Sequence, residues 1–197
     1  MKDSVLYYLT VLTLITVPAT LIAWILLHSL VSFWRRLGST RSMLIIVAST
    51  ILVMLGIYLV REPLLHVRFG FRWPLACVSV LLMAGSFYLN ILVYRRVPKT
   101  MAFGLSEISS DEPGNLVEDG VYSYMRHPRF VAMTFAVAAM ALLTNYLTVY
   151  ILWGVYVVMI FVIAVLEEHE LTARFGTRYI EYKKRVPRFV PRIHNCR

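Results

Sequence analysis

Four long segments of this 197-residue chain contain no Asp, Glu, Lys or Arg. They are residues 4–34, 42–60, 73–94 and 130–166. A helix of about 20 apolar residues spans the hydrocarbon core of a bilayer, which is about 30 Å thick. A helix of this length in a water-soluble domain would present a charged face, and none of these segments has one. The sequence therefore predicts an all-α, polytopic membrane protein.

The last uncharged segment, 130–166, is too long for a single crossing. As one helix its 37 residues would extend about 55 Å, at about 1.5 Å per residue. We therefore predict a helical hairpin that turns near Thr144 and Asn145, and a single membrane domain over residues 1–197. Five membrane helices are predicted at 5–33, 42–60, 73–94, 128–143 and 146–174.

The net charge of +9 is distributed as expected for membrane topology, not for nucleic-acid binding. With a cytoplasmic C-terminal segment, the inside segments are 35–41, 95–129 and 167–197. They hold 16 of the 20 Lys and Arg residues, which agrees with the positive-inside rule. We therefore predict a cytoplasmic C-terminus, an N-terminus on the opposite side, and no nucleic-acid partner.

Several common catalytic layouts are absent from the sequence. The glycines are too widely spaced for a dinucleotide fingerprint or a P-loop. There is no G-x-S-x-G motif, and no His or Cys pair has the spacing of metal ligands. The sequence therefore predicts no metal site.

Two polar groups remain at the ends of the predicted hairpin. Arg126, His127 and Pro128 precede the fourth helix, and Glu167 and Glu168 end the apolar part of the fifth. A hairpin brings these ends to one membrane face. A helix N-terminus with basic side chains suits an anion, and carboxylates suit a cation. Neighbouring helical residues point about 100° apart, so one of the two glutamates is expected to face inward. Such a site fits a zwitterionic cofactor and a lipid-like substrate.

These residues resemble the R-H-P-x-Y … E-E signature of a family of integral membrane methyltransferases. That family includes isoprenylcysteine carboxyl methyltransferase and phospholipid N-methyltransferases. The matching residues are Arg126-His127-Pro128-Arg129-Phe130 and Glu167-Glu168. Further matches are Leu-Val-Glu-Asp-Gly-Val-Tyr at 116–122, Phe175-Gly176-x-x-Tyr179-x-x-Tyr182, and Phe189-Val-Pro191. The resemblance covers residues 115–191, which we take as the catalytic region.

The resemblance implies S-adenosylmethionine as methyl donor, and the distribution of Lys and Arg predicts that the active site is cytoplasmic. The resemblance also implies a lipophilic or prenylated acceptor that enters from the bilayer. The implied catalytic residues are Arg126, His127 and Glu168. The implied cofactor-binding residues are Tyr122, Arg126, His127, Pro128, Glu167 and Glu168.

The chain departs from the family pattern at two positions. Phe130 replaces the signature tyrosine, so its hydroxyl is either lost or supplied by Tyr122 or Tyr124. Asn115 stands where relatives often have histidine. Both departures bear on the acceptor more than on the donor.

The sequence favours a carboxylate acceptor, because a carboxylate needs no base whereas an amine or a thiol must lose a proton. Together with the resemblance, which implies an isoprenylcysteine-like substrate, this predicts carboxyl methylation of such a substrate. The alternatives are N-methylation of a phospholipid amine, S-methylation of a small thiol and, as a different enzyme class, an NADPH-dependent sterol or enone reductase. A transporter or assembly factor is the non-enzymatic alternative, and the oligomeric state is left open.

Other charged and aromatic residues receive simpler interpretations. The basic stretch 183–185 is expected to contact membrane lipid headgroups, and Glu170 is expected to pair with Arg174. Trp24 is interpreted as a packing or interfacial aromatic. Three arginines are left open as contacts for an acidic acceptor: Arg178, Arg188 and Arg192.

Overall fold

The computed structural model of this chain describes residues 2–97 and 115–191. Arg192 therefore lies outside the described residues. A short 3₁₀ turn covers Gly120–Ser123. The α-helices of the described residues are α1 (Lys2–Ser29), α2 (Val31–Leu37), α3 (Ser39–Leu59), α4 (Arg61–Leu64), α5 (Trp73–Tyr94), α6 (Pro128–Thr144), α7 (Leu147–Phe175) and α8 (Thr177–Arg185).

Four of these helices are long and apolar enough to cross a membrane. They are α1 from Ser4 onward, α3, α5 and α7, and α6 is a shorter apolar helix of 17 residues. No strand occurs in the described part of the chain. The predicted all-α, polytopic membrane fold is thus confirmed.

The long helices begin and end within three residues of the predicted bounds except at the end of α1. The observed α5 has the bounds that the sequence predicts. The first helix, expected to extend to residue 33, ends at Ser29, and the separate helix α2 begins at Val31. Leu30 leaves the helical conformation with φ −122° and ψ 28°. The sequence has no glycine, proline or charge at this position to mark the break.

The predicted hairpin between α6 and α7 is present, and it turns at Asn145. This residue has the left-handed conformation (φ 55°, ψ 43°), which Asn adopts more readily than most residues other than glycine. Its side-chain Nδ2 donates to the carbonyl of Gly70 at 2.6 Å. Its backbone carbonyl accepts from the amide of Phe69 at 3.0 Å. The turn is therefore attached to the segment before α5.

Helix α6 occupies the centre of the fold and contacts α1, α5 and α7. An apolar core joins α1, α6 and α7 through the buried side chains Leu21, Phe130, Val137, Tyr156, Ile160, Ile163 and Ala164. Helix α3 contacts α1 but is almost entirely exposed. Its apolar side chains are therefore available to lipid.

Candidate functional site

The hairpin brings the start of α6 and the last part of α7 together. His127 is the residue before α6, and Pro128 occupies its first turn, where a missing N–H breaks no helical hydrogen bond. The His127 ring lies between the two glutamates of α7, with Nδ1 3.3 Å from Glu167 Oε2 and Nε2 3.2 Å from Glu168 Oε1. The basic and acidic groups expected to meet at one membrane face are thus in direct contact.

Glu168 is the centre of a buried ionic network. The residue is 2% exposed, and its Oε1 accepts from Arg126 Nη2 at 2.7 Å and Nε at 3.1 Å. Arg188 donates to both carboxylate oxygens, from Nε at 2.9 Å and from Nη2 at 2.8 Å. Lys183 Nζ lies 3.6 Å from Oε2. The carboxylate therefore joins α6, α7 and the C-terminal segment.

The segment that follows α8 crosses the start of α6. The amide of Arg126 donates to the carbonyl of Pro187 at 2.9 Å, and the amide of His127 donates to that of Arg188 at 3.0 Å. Arg126 Nη1 donates to the carbonyl of Lys183 at 3.0 Å. Phe189 packs beside the His127 ring at a centroid distance of 5.9 Å. These contacts fix the backbone and ring positions of Arg126 and His127.

A cavity adjoins this network on the side of Glu167. The Glu167 side chain is 25% exposed and lines the cavity, whereas Glu168 does not line it. Of the two glutamates, both of which contact His127, Glu167 faces this cavity and Glu168 faces the arginines. Other polar lining residues are Asn115, Tyr122, Arg126, His127, Arg129, Glu170, Arg174, Tyr179 and Tyr182.

Phe130 and the two candidate tyrosines have different positions. The Phe130 ring stacks on His127, with centroids 5.3 Å apart and planes 11° apart. Tyr122 lines the cavity, whereas Tyr124 is 57% exposed and does not line it. Of the two tyrosines considered as substitutes for the signature tyrosine, Tyr122 is the one in the cavity wall.

The electrostatics of the site favour a protonated His127. Burial alone would lower the pKa of His127, but the charges and hydrogen bonds of Glu167 and Glu168 outweigh burial and raise it. Burial, reinforced by Glu167, raises the pKa of the Tyr122 hydroxyl. The raised pKa favours the protonated ring, which would pair with both carboxylates, and a protonated ring cannot remove a proton.

Tyr179 contributes a buried hydroxyl that has no protein partner. The residue is 1% exposed and lines the cavity. Its Oη has no hydrogen-bond partner among the described residues. An unsatisfied buried hydroxyl is unfavourable by about 1–3 kcal/mol, and a ligand that accepts its hydrogen bond would remove this penalty.

Helices α1 and α2 also reach the site, which the sequence did not indicate. Glu170 contacts His28 Nδ1 and Arg35 Nη2, each at 3.3 Å. The partners of Glu170 thus include residues of α1 and α2, and its additional pairing with Arg174 stays a prediction. Trp24 of α1, interpreted from the sequence as a packing or interfacial aromatic, packs against the core and also lines the cavity.

The basic residues of the C-terminal segment make specific contacts. Arg188 and Lys183 bind Glu168, as described above. Arg178 and Arg185 bind the two oxygens of Glu118 at 2.8 and 2.9 Å.

Among the described residues, no cluster of three or more His, Cys, Asp or Glu side chains could hold a metal ion.

Residues 75–178, just over half of the chain, match the model of the phospholipid methyltransferase family. The chain belongs to that family. The matched region includes α6, α7 and all of Arg126, His127, Glu167 and Glu168.

Two curated relatives have related names. The chain is 36% identical over 92 residues to protein-S-isoprenylcysteine O-methyltransferase B of Arabidopsis thaliana. This alignment covers 46% of the chain and 46% of the relative. It is 35% identical over 83 residues to protein-S-isoprenylcysteine O-methyltransferase of Schizosaccharomyces pombe, over 40% of this chain and 34% of the relative. The alignments thus span less than half of these relatives. No solved structure matches the chain.

Proposed function

We propose that this protein is an S-adenosylmethionine-dependent membrane methyltransferase that methylates the carboxylate of an isoprenylcysteine-like acceptor. The observation that carries the proposal is the His127–Glu167 pair in the wall of a cavity, within the region that matches the family. The names of the two curated relatives support a prenylated carboxylate as the acceptor.

The residues of the cavity fit the methyl donor chemically. S-adenosylmethionine has an ammonium and a sulfonium, for which Glu167 and Glu170 supply negative charge. Its polar groups can accept the hydrogen bond that Tyr179 Oη lacks. We assign donor contacts to Tyr122, His127 and Glu167, which line the cavity together.

We assign structural roles, not donor contacts, to Arg126, Pro128 and Glu168. The Glu168 carboxylate accepts hydrogen bonds from two guanidinium groups, and Arg126 also donates to the backbone carbonyl of Lys183. Pro128 begins α6. We therefore propose that Arg126 and Glu168 are positioning residues that hold His127 and Glu167 at the cavity.

The proposed reaction requires alignment and exclusion of water more than proton transfer. When bound, S-adenosylmethionine supplies an electrophilic methyl group, and an acceptor oxygen bonds to its carbon as the carbon–sulfur bond breaks. The chain's residues hold the two reactants in line, which removes a large entropic cost. A carboxylate needs no base, and His127, with its raised pKa, is a poor one. This property favours a carboxylate over an amine or a thiol.

The location of the site agrees with a lipophilic acceptor. The cavity lies where α6 begins and α7 leaves its apolar part, next to the core of α1, α6 and α7. We propose that the acceptor enters from the bilayer while its polar end reaches the cavity. We also propose that the site and the C-terminus are cytoplasmic and the N-terminus is on the opposite side, as the distribution of Lys and Arg indicates.

The proposal is tested with purified protein in detergent, donor labelled in its methyl group and N-acetyl-S-farnesylcysteine as acceptor. Transfer of label to the acceptor and binding of S-adenosylhomocysteine are expected, and NADPH should not bind. Glu167→Gln should weaken S-adenosylhomocysteine binding about tenfold or more, because a charged partner is lost. The control Glu181→Gln changes an exposed glutamate of α8 and should have no effect. Absence of both transfer and donor-product binding would refute the proposal.

A further inference from the structure

Arg129 has an unusual environment in the wall of the cavity. It is the second residue of α6 and is half-buried. Its guanidinium carbon lies 4.7 Å from the centre of the Trp24 ring of α1. Trp24 is in turn stacked on His28, with centroids 5.3 Å apart. The guanidinium is therefore held by an aromatic face, and α1 fixes its position.

No carboxylate of the described residues lies within ion-pair distance of Arg129, and its guanidinium packs on the Trp24 ring. Arg126 and Arg188, by contrast, both bind Glu168. Glu167 is close enough to interact electrostatically with Arg129 but directs Oε2 to His127. A guanidinium cannot lose its proton, and arginine is seldom buried without an anion. The cavity wall thus holds a cation that still has hydrogen bonds to donate.

We infer that Arg129 binds the reacting carboxylate of the methyl acceptor and thereby selects acidic acceptors. The planar guanidinium matches a carboxylate with two parallel hydrogen bonds. This inference rests on the proposed function and deepens it.

The surroundings of Arg129 favour the acceptor over the donor as the source of the carboxylate. Trp24 packs against the apolar core that includes Leu21, Phe130 and Ile163. Arg129 therefore stands where the polar cavity meets that core. A carboxylate attached to a long apolar group fits this junction, whereas the donor's carboxylate is adjacent to an ammonium that Arg129 would repel.

The charge balance of the reaction predicts which kinetic constant depends on Arg129. An oxygen of the acceptor carboxylate forms a bond to the methyl carbon, the carbon–sulfur bond breaks, and its electron pair stays on sulfur. The products are a neutral ester and a neutral thioether, and no proton moves. Arg129 therefore interacts more strongly with the charged reactant than with the transition state. Loss of its charge should raise the acceptor KM and should not lower kcat.

The test compares wild type with Arg129→Gln, Arg129→Lys and the control Arg36→Gln, which changes an exposed residue of α2. The acceptor KM of Arg129→Gln should rise about tenfold to hundredfold with kcat retained, as expected for loss of charge-assisted hydrogen bonds. Arg129→Lys should be intermediate, because lysine keeps the charge but not the paired geometry. Arg36→Gln should match wild type.

Direct binding provides a readout that does not depend on turnover. Wild type should bind N-acetyl-S-farnesylcysteine more tightly than its carboxamide, and Arg129→Gln should lose this preference. Binding of S-adenosylhomocysteine should stay within about threefold of wild type, which also shows that the variant is folded. An unchanged preference for the carboxylate, or a selective loss of donor-product binding, would overturn the role of Arg129 even if wild type methylates the acceptor. Absence of donor-product binding and transfer in wild type would instead overturn the proposed function.

Discussion

The Arg126 guanidinium and the Glu168 carboxylate form a buried ion pair in which Nη2 lies 2.7 Å from Oε1. Their side chains are 9% and 3% exposed. Removing one member of such a pair leaves an uncompensated charge away from water, and this is far less favourable than loss of an exposed pair. The pair belongs to the framework of the site, whereas Glu167 belongs to the cavity.

Glu168→Gln is expected to destabilise the protein strongly. Arg126 and Arg188 would lose their shared anion, and the free energy of unfolding should fall by about 3 kcal/mol. Unfolding by SDS in mixed micelles measures the change. Glu118→Gln is the control, because its partners Arg178 and Arg185 are exposed and its effect should stay below about 1 kcal/mol. Equal effects of the two variants would contradict this account.

Tyr179→Phe is expected to separate ligand binding from stability. The missing hydroxyl has no partner among the described residues, so the free energy of unfolding should be unchanged or slightly higher. Affinity for S-adenosylhomocysteine should fall about threefold to tenfold, the effect of one hydrogen bond. Calorimetric titration measures it. Tyr182→Phe is the matched comparison, because Tyr182 Oη donates to the carbonyl of Tyr122 at 2.7 Å and its loss should destabilise the fold. A destabilised Tyr179→Phe protein would refute the expectation.

His127 should make the stability of the protein depend on pH. Its pKa is raised in the folded state above the usual value of 6.5, so folding favours the protonated ring. The stabilisation is complete below about pH 6.5 and is lost as pH rises through the higher folded-state pKa. Melting temperatures in detergent between about pH 6 and 9 should therefore decline with pH for wild type. The decline should be smaller in His127→Gln, and identical profiles would count against a charged His127.

Asn145 tests the turn of the hairpin. A residue without the Asn side chain is strained at φ 55° unless it is glycine. Asn145→Gly should lose the bonds to Gly70 and Tyr150 but avoid the backbone strain. Asn145→Ala should suffer both effects and be less stable than Asn145→Gly by about 1 kcal/mol. SDS titration compares them, and a more stable alanine variant would contradict the role of the left-handed conformation.

The membrane helices could be predicted because absence of charge is a strong local signal. The observed α5 has its predicted bounds, and α6 and α7 agree to within a residue at each end. The break at Leu30 was missed because no helix-breaking residue marks it. Leu27 and Trp34, on either side of the break, pack in one cluster with Met43 and Ile46 of α3, and the local sequence does not record such contacts.

The candidate site was predictable in its residues but only partly in their arrangement. The sequence predicts that His127 lies near the two glutamates. It does not predict the rotation of α7 about its own axis, which directs Glu167 to the cavity and Glu168 to the arginines. The contact between Trp24 and Arg129 joins positions far apart in the chain. No local pattern predicts such a contact, because it depends on which face of α1 meets α6.

The segment that crosses the start of α6 makes the site depend on residues outside the helical hairpin. The amides of Arg126 and His127 donate to the carbonyls of Pro187 and Arg188, and the Arg188 side chain donates to both oxygens of Glu168. A chain shortened to end before Pro187 would keep the residues of α6 and α7 but lose all of these contacts. The hairpin alone therefore does not define the geometry of the site.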